Sequence, residues 1–335
     1  MSVNFWSKLK KPIFVLAPMA NVTDAAFRRI IAKYSRPAGP AVFWTEFVSV
    51  EGLLSRGREK LLPDLWFTPG EHPIVAQIFG GKPEQFYEVA KLLVDLGFDG
   101  VDINMGCPDR GIEKSGGGAS LIKDPKRAQQ IISELKRGIK DAGSDIPVSV
   151  KTRIGYNKNE MEAWLPAILE MKPAALTVHL RTRKEMSEVP AHWELMPGIV
   201  ELRNKYSPET ILLGNGDVKD LRDARQKVLD TGCDGVMLGR AIFGNPWLFA
   251  EKTPSTQEKL HVALEHTRLF ESLYGPAKNG ERWLRDFANM KKHFKAYVNG
   301  FDGAKDLRIK MMDAERVEEI ESLVHDFLAG TQETE

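Results

Sequence analysis

Eight short apolar runs recur along the first 240 residues, and their spacing restricts the fold more than any other feature. They occupy residues 13–17, 42–46, 74–78, 100–104, 147–152, 175–179, 211–215 and 235–239. Each is rich in Val, Ile or Leu and lies close to Gly, Pro or Asp. Helix-like stretches such as 83–96, 125–140 and 219–231 separate most of them. Near-continuous apolar strands alternating with helices call for a parallel sheet covered on both faces. Eight such units predict an α/β fold of the closed (β/α)8 type, a TIM barrel. An open, doubly wound sheet would begin with a Gly-rich turn after its first strand. Here that strand runs into Ala17-Pro18-Met19-Ala20-Asn21, with no glycine. Gly80-Gly81 and Gly116-Gly117-Gly118 also lack the G-x-G-x-x-G spacing of a dinucleotide turn and read as flexible loops.

The pattern changes after about Phe249. From Thr256 onward the period is helical, with helices expected over 256–273, 281–298, 304–311 and 314–328. The expected organisation is a catalytic barrel over 1–250, followed by a small all-helical C-terminal domain over 256–330. Lys plus Arg number 47 and Asp plus Glu 46, so overall charge selects no polyanionic partner; any nucleic-acid site must come from local clustering. Two cysteines, Cys107 and Cys233, are too few for a disulfide scaffold and lack metal-site spacing, so no metal is expected. Residues 1–11 lack a signal-peptide core, and no apolar run approaches the ~18 residues of a membrane span. A cytoplasmic protein, independent of membranes, is the expectation.

Polar residues stand at the carboxyl ends of the predicted strands, where a barrel builds its active site. They are Met19 and Asn21, Glu46, Gln77, Asn104 with Cys107, Lys151 with Arg153, His179, Asn215 with Asp217, and Arg240. Gly214-Asn215-Gly216-Asp217 follows the seventh strand and Leu238-Gly239-Arg240 the eighth. Barrels often bind phosphate between these loops, and glycine permits the close backbone approach. Tight turns without a ligand are the alternative; a phosphate-bearing cofactor is the reading preferred. Lys151 beside that site suits the N1–C2=O edge of a flavin, where a cation stabilises the reduced ring. A Schiff-base lysine is the rival reading. Cys107 follows the fourth strand directly, placed to act as a general acid or as a nucleophile. Cys233 precedes the eighth strand at the opposite face and reads as a small buried side chain.

These segments together resemble the tRNA-dihydrouridine synthases over nearly the whole length. The resemblance rests on Ala17-Pro18-Met19-Ala20, Thr45-Glu46-Phe47, Gln77-Ile78-Phe79-Gly80, Asp102-Ile103-Asn104-Met105-Gly106-Cys107-Pro108, Val150-Lys151-Thr152-Arg153-Ile154-Gly155, His179 with Arg181-Thr182-Arg183, Gly214-Asn215-Gly216-Asp217, and 235–240. It implies an FMN barrel that reduces uridines in tRNA to 5,6-dihydrouridine at the expense of NADPH. It sets FMN against Pro18, Met19, Ala20, Gln77, Lys151, His179, Asn215, Gly216, Asp217, Gly239 and Arg240. It makes Cys107 the proton donor to uracil C5, with hydride from reduced flavin going to C6, and has Asn104 and Arg153 hold the base. The chain departs from the family pattern at Leu180, at Arg110 and through the loop 109–112.

The helical tail carries Arg282, Arg285, Lys291, Lys292 and Lys295, a stripe suited to RNA phosphates. A target base must also leave its stack to enter a barrel mouth. No obligate protein partner is evident, and a monomer is expected. Two reductase alternatives stay open: an FMN barrel acting on a free pyrimidine or enone, and the same chemistry on ribosomal RNA. An RNA-binding protein with an inactive barrel is the rival from another class; Cys107 and the full set of flavin-type loops weigh against it.

Overall fold

A computed structural model describes residues 4–276 and 283–332. Eight strands form one parallel sheet: β1 (Ile13–Leu16), β2 (Phe43–Ser49), β3 (Ile74–Phe79), β4 (Gly100–Met105), β5 (Val148–Gly155), β6 (Ala175–Thr182), β7 (Ile211–Asn215) and β8 (Gly235–Leu238). Their order is β1-β8-β7-β6-β5-β4-β3-β2. The two end strands meet as well. The Ala41 N–H donates to Phe14 O at 2.8 Å and the Leu16 N–H to Val42 O at 3.4 Å, which closes the ring. The expected (β/α)8 barrel is therefore present. β2, β5 and β6 each run three residues further than their apolar cores indicated. A shift of register between Trp44 and Phe47, and another between Arg153 and Gly155, accompanies two of these extensions.

The chain divides into two compact units: Met1–Ala20 with Pro40–Arg240, and Asn21–Gly39 with Ala241–Glu335. In the first, alternation along each strand sends every second residue into the barrel. One end of the interior is filled by Ile13, Val15, Val42, Trp44, Val75, Leu213 and Met237, with Trp6 packed against them. The surrounding helices begin on side-chain caps. Asp124 accepts from Arg127 N to start Pro125–Asp141, and Asp220 from Asp223 N to start Leu221–Thr231. Each such cap is worth ~1 kcal/mol.

The second unit gathers helix Ala25–Tyr34, although that helix lies within the 1–250 segment. It shares one core with residues of Thr256–Tyr274, Lys291–Tyr297, Ala304–Asp313 and Val317–Gln332. Its Ala25 N–H donates to Tyr274 Oη at 3.0 Å. A Ser255–Glu258 capping box opens Thr256–Tyr274. The single helix expected over 281–298 is not what forms. Asp286 accepts from Ala288 N and starts a short 3-10 turn, Phe287–Met290, from which helix Lys291–Tyr297 continues. The last helix also begins later than expected, at Val317, after Ala314 adopts an extended backbone.

Among the described residues no helix is long and apolar enough to cross a membrane.

Candidate active site at the carboxyl ends of the strands

A cavity of about 220 Å³ opens at the carboxyl ends of β1, β5, β6, β7 and β8. Pro18, Met19, Lys151, His179, Asn215, Gly216, Asp217, Gly239 and Arg240 all line it. A smaller cavity of about 120 Å³ shares Pro18, Lys151 and His179 and adds Gln77, Asn104, Cys107 and Arg153. The barrel thus brings together nearly all of the residues singled out at its strand ends. Ala20 is exposed and lines neither cavity.

The larger cavity carries more positive than negative charge, with Asp217 the one carboxylate on its lining. Lys151, Arg181 and Arg240 supply cations and Asn215 a neutral amide. Lys151 Nζ donates to Asn215 Oδ1 at 3.3 Å, while Asn215 Nδ2 donates to Met237 O at 2.8 Å. Burial and the nearby Arg153 push the Lys151 ammonium down to about 8. Gly216 has φ +126°, and a Cβ there would meet Ala191 Cβ at 2.7 Å and His179 Cδ2 at 3.1 Å. No L side chain fits at that position, so a guest reaches bare backbone. A phosphate-bearing group suits this donor set.

Arg181 was not singled out as a site residue from the sequence, yet it organises this end. Only 2% exposed, it touches His179 Nε2 from Nη1 at 3.1 Å and pairs through Nη2 with Asp217 Oδ2. A guanidinium only donates, so His179 Nε2 is the acceptor and the ring proton sits on Nδ1. Burial, with Lys151, Arg153, Arg181 and Arg240 around it, holds His179 far below the usual imidazole range. It is therefore a neutral ring with one fixed tautomer. The hydrogen bond from Arg181 keeps Asp217 below the usual carboxylate range. Asp217 also accepts from Ala191 N at 2.8 Å and from Arg240. The signal for Arg181 was available, because it stands two residues beyond His179 on the same strand face.

Around Cys107 the backbone is pinned from both sides. Asn104 Oδ1 accepts from the N–H groups of Gly106 (3.1 Å) and Cys107 (2.9 Å). Cys107 O accepts from Ala119 N at 2.9 Å. Gly118, at φ +58°, makes that approach possible, since a Cβ there would lie 2.7 Å from Cys107 O. Gly81 likewise packs against the Ser115–Gly116 backbone, where a Cβ would meet Ser115 O at 2.4 Å. The glycine clusters read as flexible loops are thus sites of tight backbone contact. The loop 109–112 is ordered too. Asp109 Oδ1 accepts from Gly111 N and Ile112 N and caps the helix Arg110–Lys114. Arg183 grips that helix through both oxygens of Glu113. Leu180 is fully buried and alternates with the inward-facing His179; its carbonyl accepts from His192 N at 2.7 Å.

Burial raises the Cys107 thiol, so it is protonated at neutral pH and suited to give a proton. Cys233 is buried, and its thiol donates to Gly235 O at 3.3 Å. Arg153 is largely occupied with backbone. Its Nε donates to Gly106 O at 2.7 Å, and Nη1 to Thr182 O and Met186 O. That leaves Nη2 available on the smaller cavity.

Of the basic residues in the tail, Lys295 is exposed and Lys291 and Lys292 half-buried. Lys292 Nζ donates to Asn21 O. Arg285 is mostly buried, 3.9 Å from Asp24 and 5.1 Å over the Tyr274 ring. It does not belong to an exposed stripe. Arg282 lies outside the described residues.

Comparison with known proteins gives a consistent set. The family model described as "Dihydrouridine synthase (Dus)" matches residues 15–331. A probable tRNA-dihydrouridine synthase of Staphylococcus aureus (strain Mu50 / ATCC 700699) is 42% identical over 335 residues, covering 99% of this chain and 98% of the relative. Probable tRNA-dihydrouridine synthase 2 of Bacillus subtilis (strain 168) is 41% identical over 329 residues, covering 98% and 97% respectively.

Proposed function

The chain belongs to the dihydrouridine synthase family, and we propose that it reduces uridines in tRNA to 5,6-dihydrouridine, with FMN bound and NADPH as reductant. The observation that carries this reading is the adjacency of two cavities. A cation-rich one suits a phosphate-bearing cofactor, and the one beside it holds a protonated thiol; Lys151 and His179 line both.

Pro18, Met19, Gln77, Lys151, His179, Asn215, Gly216, Asp217, Gly239 and Arg240 would hold FMN, with Ala20 outside both cavities. When bound, FMN supplies the hydride that is added to uracil C6. Arg240 and the open backbone at Gly216 suit the phosphate, and Lys151 suits the N1–C2=O edge of the ring. His179 offers one donor, Nδ1–H, and carries no charge. Cys107 holds a proton on Sγ and gives it to C5, where negative charge builds as C6 is reduced. Asn104 fixes the Cys107 backbone, and its second Nδ2 hydrogen can meet the base, as can Arg153 Nη2. The barrel, 1–250, is the catalytic part. The helical part, 256–330, contributes Lys291, Lys292 and Lys295 to tRNA phosphates, while Arg285 acts inside the helical core. A monomeric cytoplasmic enzyme is the reading we adopt.

Incubating the purified protein with FMN, NADPH and unmodified tRNA tests this, with dihydrouridine read by mass spectrometry of the digested RNA. Dihydrouridine should accumulate in tRNA as NADPH is consumed. Turnover on free uridine or an enone but not on tRNA would favour the small-molecule reductase. Turnover on ribosomal RNA alone would move the substrate within the same chemistry.

A further inference from the structure

Beneath the two cavities the barrel interior contains a carboxylate that none of the proposed roles uses. Asp102 on β4 is 1% exposed. Its Oδ1 accepts from Ser149 Oγ at 2.6 Å and its Oδ2 from Gln77 Nε2 at 2.7 Å. Both partners are neutral. A buried carboxylate bonded only to neutral groups needs a cation nearby, or it neutralises itself. Strand register supplies one. Asp102 stands opposite Ser149 and Asn104 opposite Lys151, so Asp102 and Lys151 are diagonal neighbours on the inner face of β4 and β5.

Lys151 has the complementary problem. Its ammonium is buried, and its hydrogen bond goes to the neutral Asn215. Arg153 on its own strand opposes its charge; Asp102, from β4, favours it, and Cys107, in the loop after β4, is a neutral thiol. His179, facing from β6, is itself neutral.

We propose that Asp102 is a positioning residue of the active site, the buried counter-charge that keeps Lys151 an ammonium ion where the flavin ring would rest. The inference depends on the reading of the cavity as the FMN site only for its consequence; the pairing of Asp102 with Lys151 belongs to the protein alone. The mutual effects agree with it. Lys151 acts to lower Asp102, which burial has pushed up to about 6, and Asp102 acts to raise Lys151, which sits at about 8.

Asp102→Asn separates charge from shape. The asparagine oxygen still accepts from Gln77 Nε2, and its amide donates to Ser149 Oγ in place of accepting from it. The Gln77–Asn104–Cys107 chain of hydrogen bonds above it, in which Asn104 Nδ2 donates to Gln77 Oε1 at 3.1 Å, can persist. Ser149→Ala is the control, since it removes a hydrogen bond and leaves the charge.

The direct measurement is the titration of Lys151 in the FMN-free protein, by NMR of labelled lysine side chains assigned with Lys151→Met. Its midpoint should fall by about one pH unit or more in Asp102→Asn, the size of effect expected of a nearby opposite charge. Ser149→Ala should leave it near the wild-type value. Equal shifts in both variants, or none in Asp102→Asn, would overturn the proposal. In the wild type the Lys151 signal should also sense a carboxyl titrating near pH 6, and its absence would count against the pairing even if Asp102→Asn failed to fold. The FMN dissociation constant is then followed against pH. Weakening should set in at lower pH in Asp102→Asn. If Lys151 shifts but FMN binding does not follow, the counter-charge stands and the assignment of Lys151 to the flavin fails.

Discussion

Lowering the pH from 8 to 5 should remove about 4 kcal/mol from the stability of the helical unit, through two histidines. His266 and His293 are buried at 0% and 1% exposure with ring centroids 4.7 Å apart. His293 packs between Phe27, at 5.1 Å, and Phe243, at 5.9 Å. Neither of its ring nitrogens has a hydrogen-bond partner among the described residues, nor has His266 Nε2. Tyr297 Oη lies 3.4 Å from His266 Nδ1. Burial pushes His266 down to about 3 and His293 well below the usual imidazole range. The folded unit therefore refuses protons that the unfolded chain accepts below ~6.5, the ordinary imidazole value. Stability is complete above that pH and drains away as the pH falls toward the folded values. At pH 5 each histidine accounts for about 2 kcal/mol, whatever its exact folded value below that pH. Against a typical total of ~5–15 kcal/mol, this is a large fraction. His293→Phe should halve the loss while keeping an aromatic ring between Phe27 and Phe243. Hydrogen exchange of peptides from Thr256–Tyr274 and Lys291–Tyr297, corrected for intrinsic rates, reads the pH slope locally. A flat wild-type slope, or an unchanged slope in His293→Phe, would refute the reasoning.

Three further outcomes follow from the barrel and the tail. Cys107→Ala should keep the fold, since Asn104 and Ala119 hold the backbone, yet lose ~10²–10⁴-fold in tRNA reduction; flavin bleaching by NADPH in stopped flow should stay near wild type while reoxidation by tRNA slows. Neutralising Lys291, Lys292 and Lys295 together should weaken tRNA binding and flatten its dependence on salt without changing FMN content, as gel-shift titrations at several salt concentrations would report. Arg240→Ala should weaken FMN binding by ~10–100-fold, the worth of a charge-assisted hydrogen bond, measured by flavin fluorescence.

How far the sequence could be read depends on the range of each cause. Strands show themselves locally, because apolar runs of β-branched residues between turn signals need no knowledge of neighbours; all eight were legible. The cavity residues were legible for a related reason: barrel topology sends every strand end to the same rim. The helix expected over 281–298 was misjudged because its apolar period continues through Trp283, Phe287 and Phe294, whereas Asp286 caps a new start. Periodicity records which side chains are buried but not where a cap interrupts the backbone. Arg285 was misplaced for the same kind of reason. A charged residue on a polar tail looks exposed until Asp24 and Tyr274, more than 200 positions or about ten positions away, are known to meet it. Asp102 stood in plain view within the motif around Cys107, but its importance rests on Ser149 and Gln77, which only the strand register brings to it.

Their partners explain why the cavity's two arginines, Arg181 buried and Arg240 exposed, cannot exchange roles. Arg181 is 2% exposed and tied at once to His179, Asp217 and Val189 O. Releasing it would free the His179 tautomer and leave Asp217 without its main stabilising partner. Arg240 is 67% exposed and shares only Asp217 Oδ1. A phosphate entering as proposed would therefore compete with Asp217 for Arg240, where the exchange is between one anion and another in contact with water. It would not compete for Arg181, whose bonds shape the wall. If the cavity takes an anion as proposed, the carboxylate that looks out of place there holds Arg240 through one oxygen, while the deeper bond to Arg181 would stop that carboxylate from turning toward the guest.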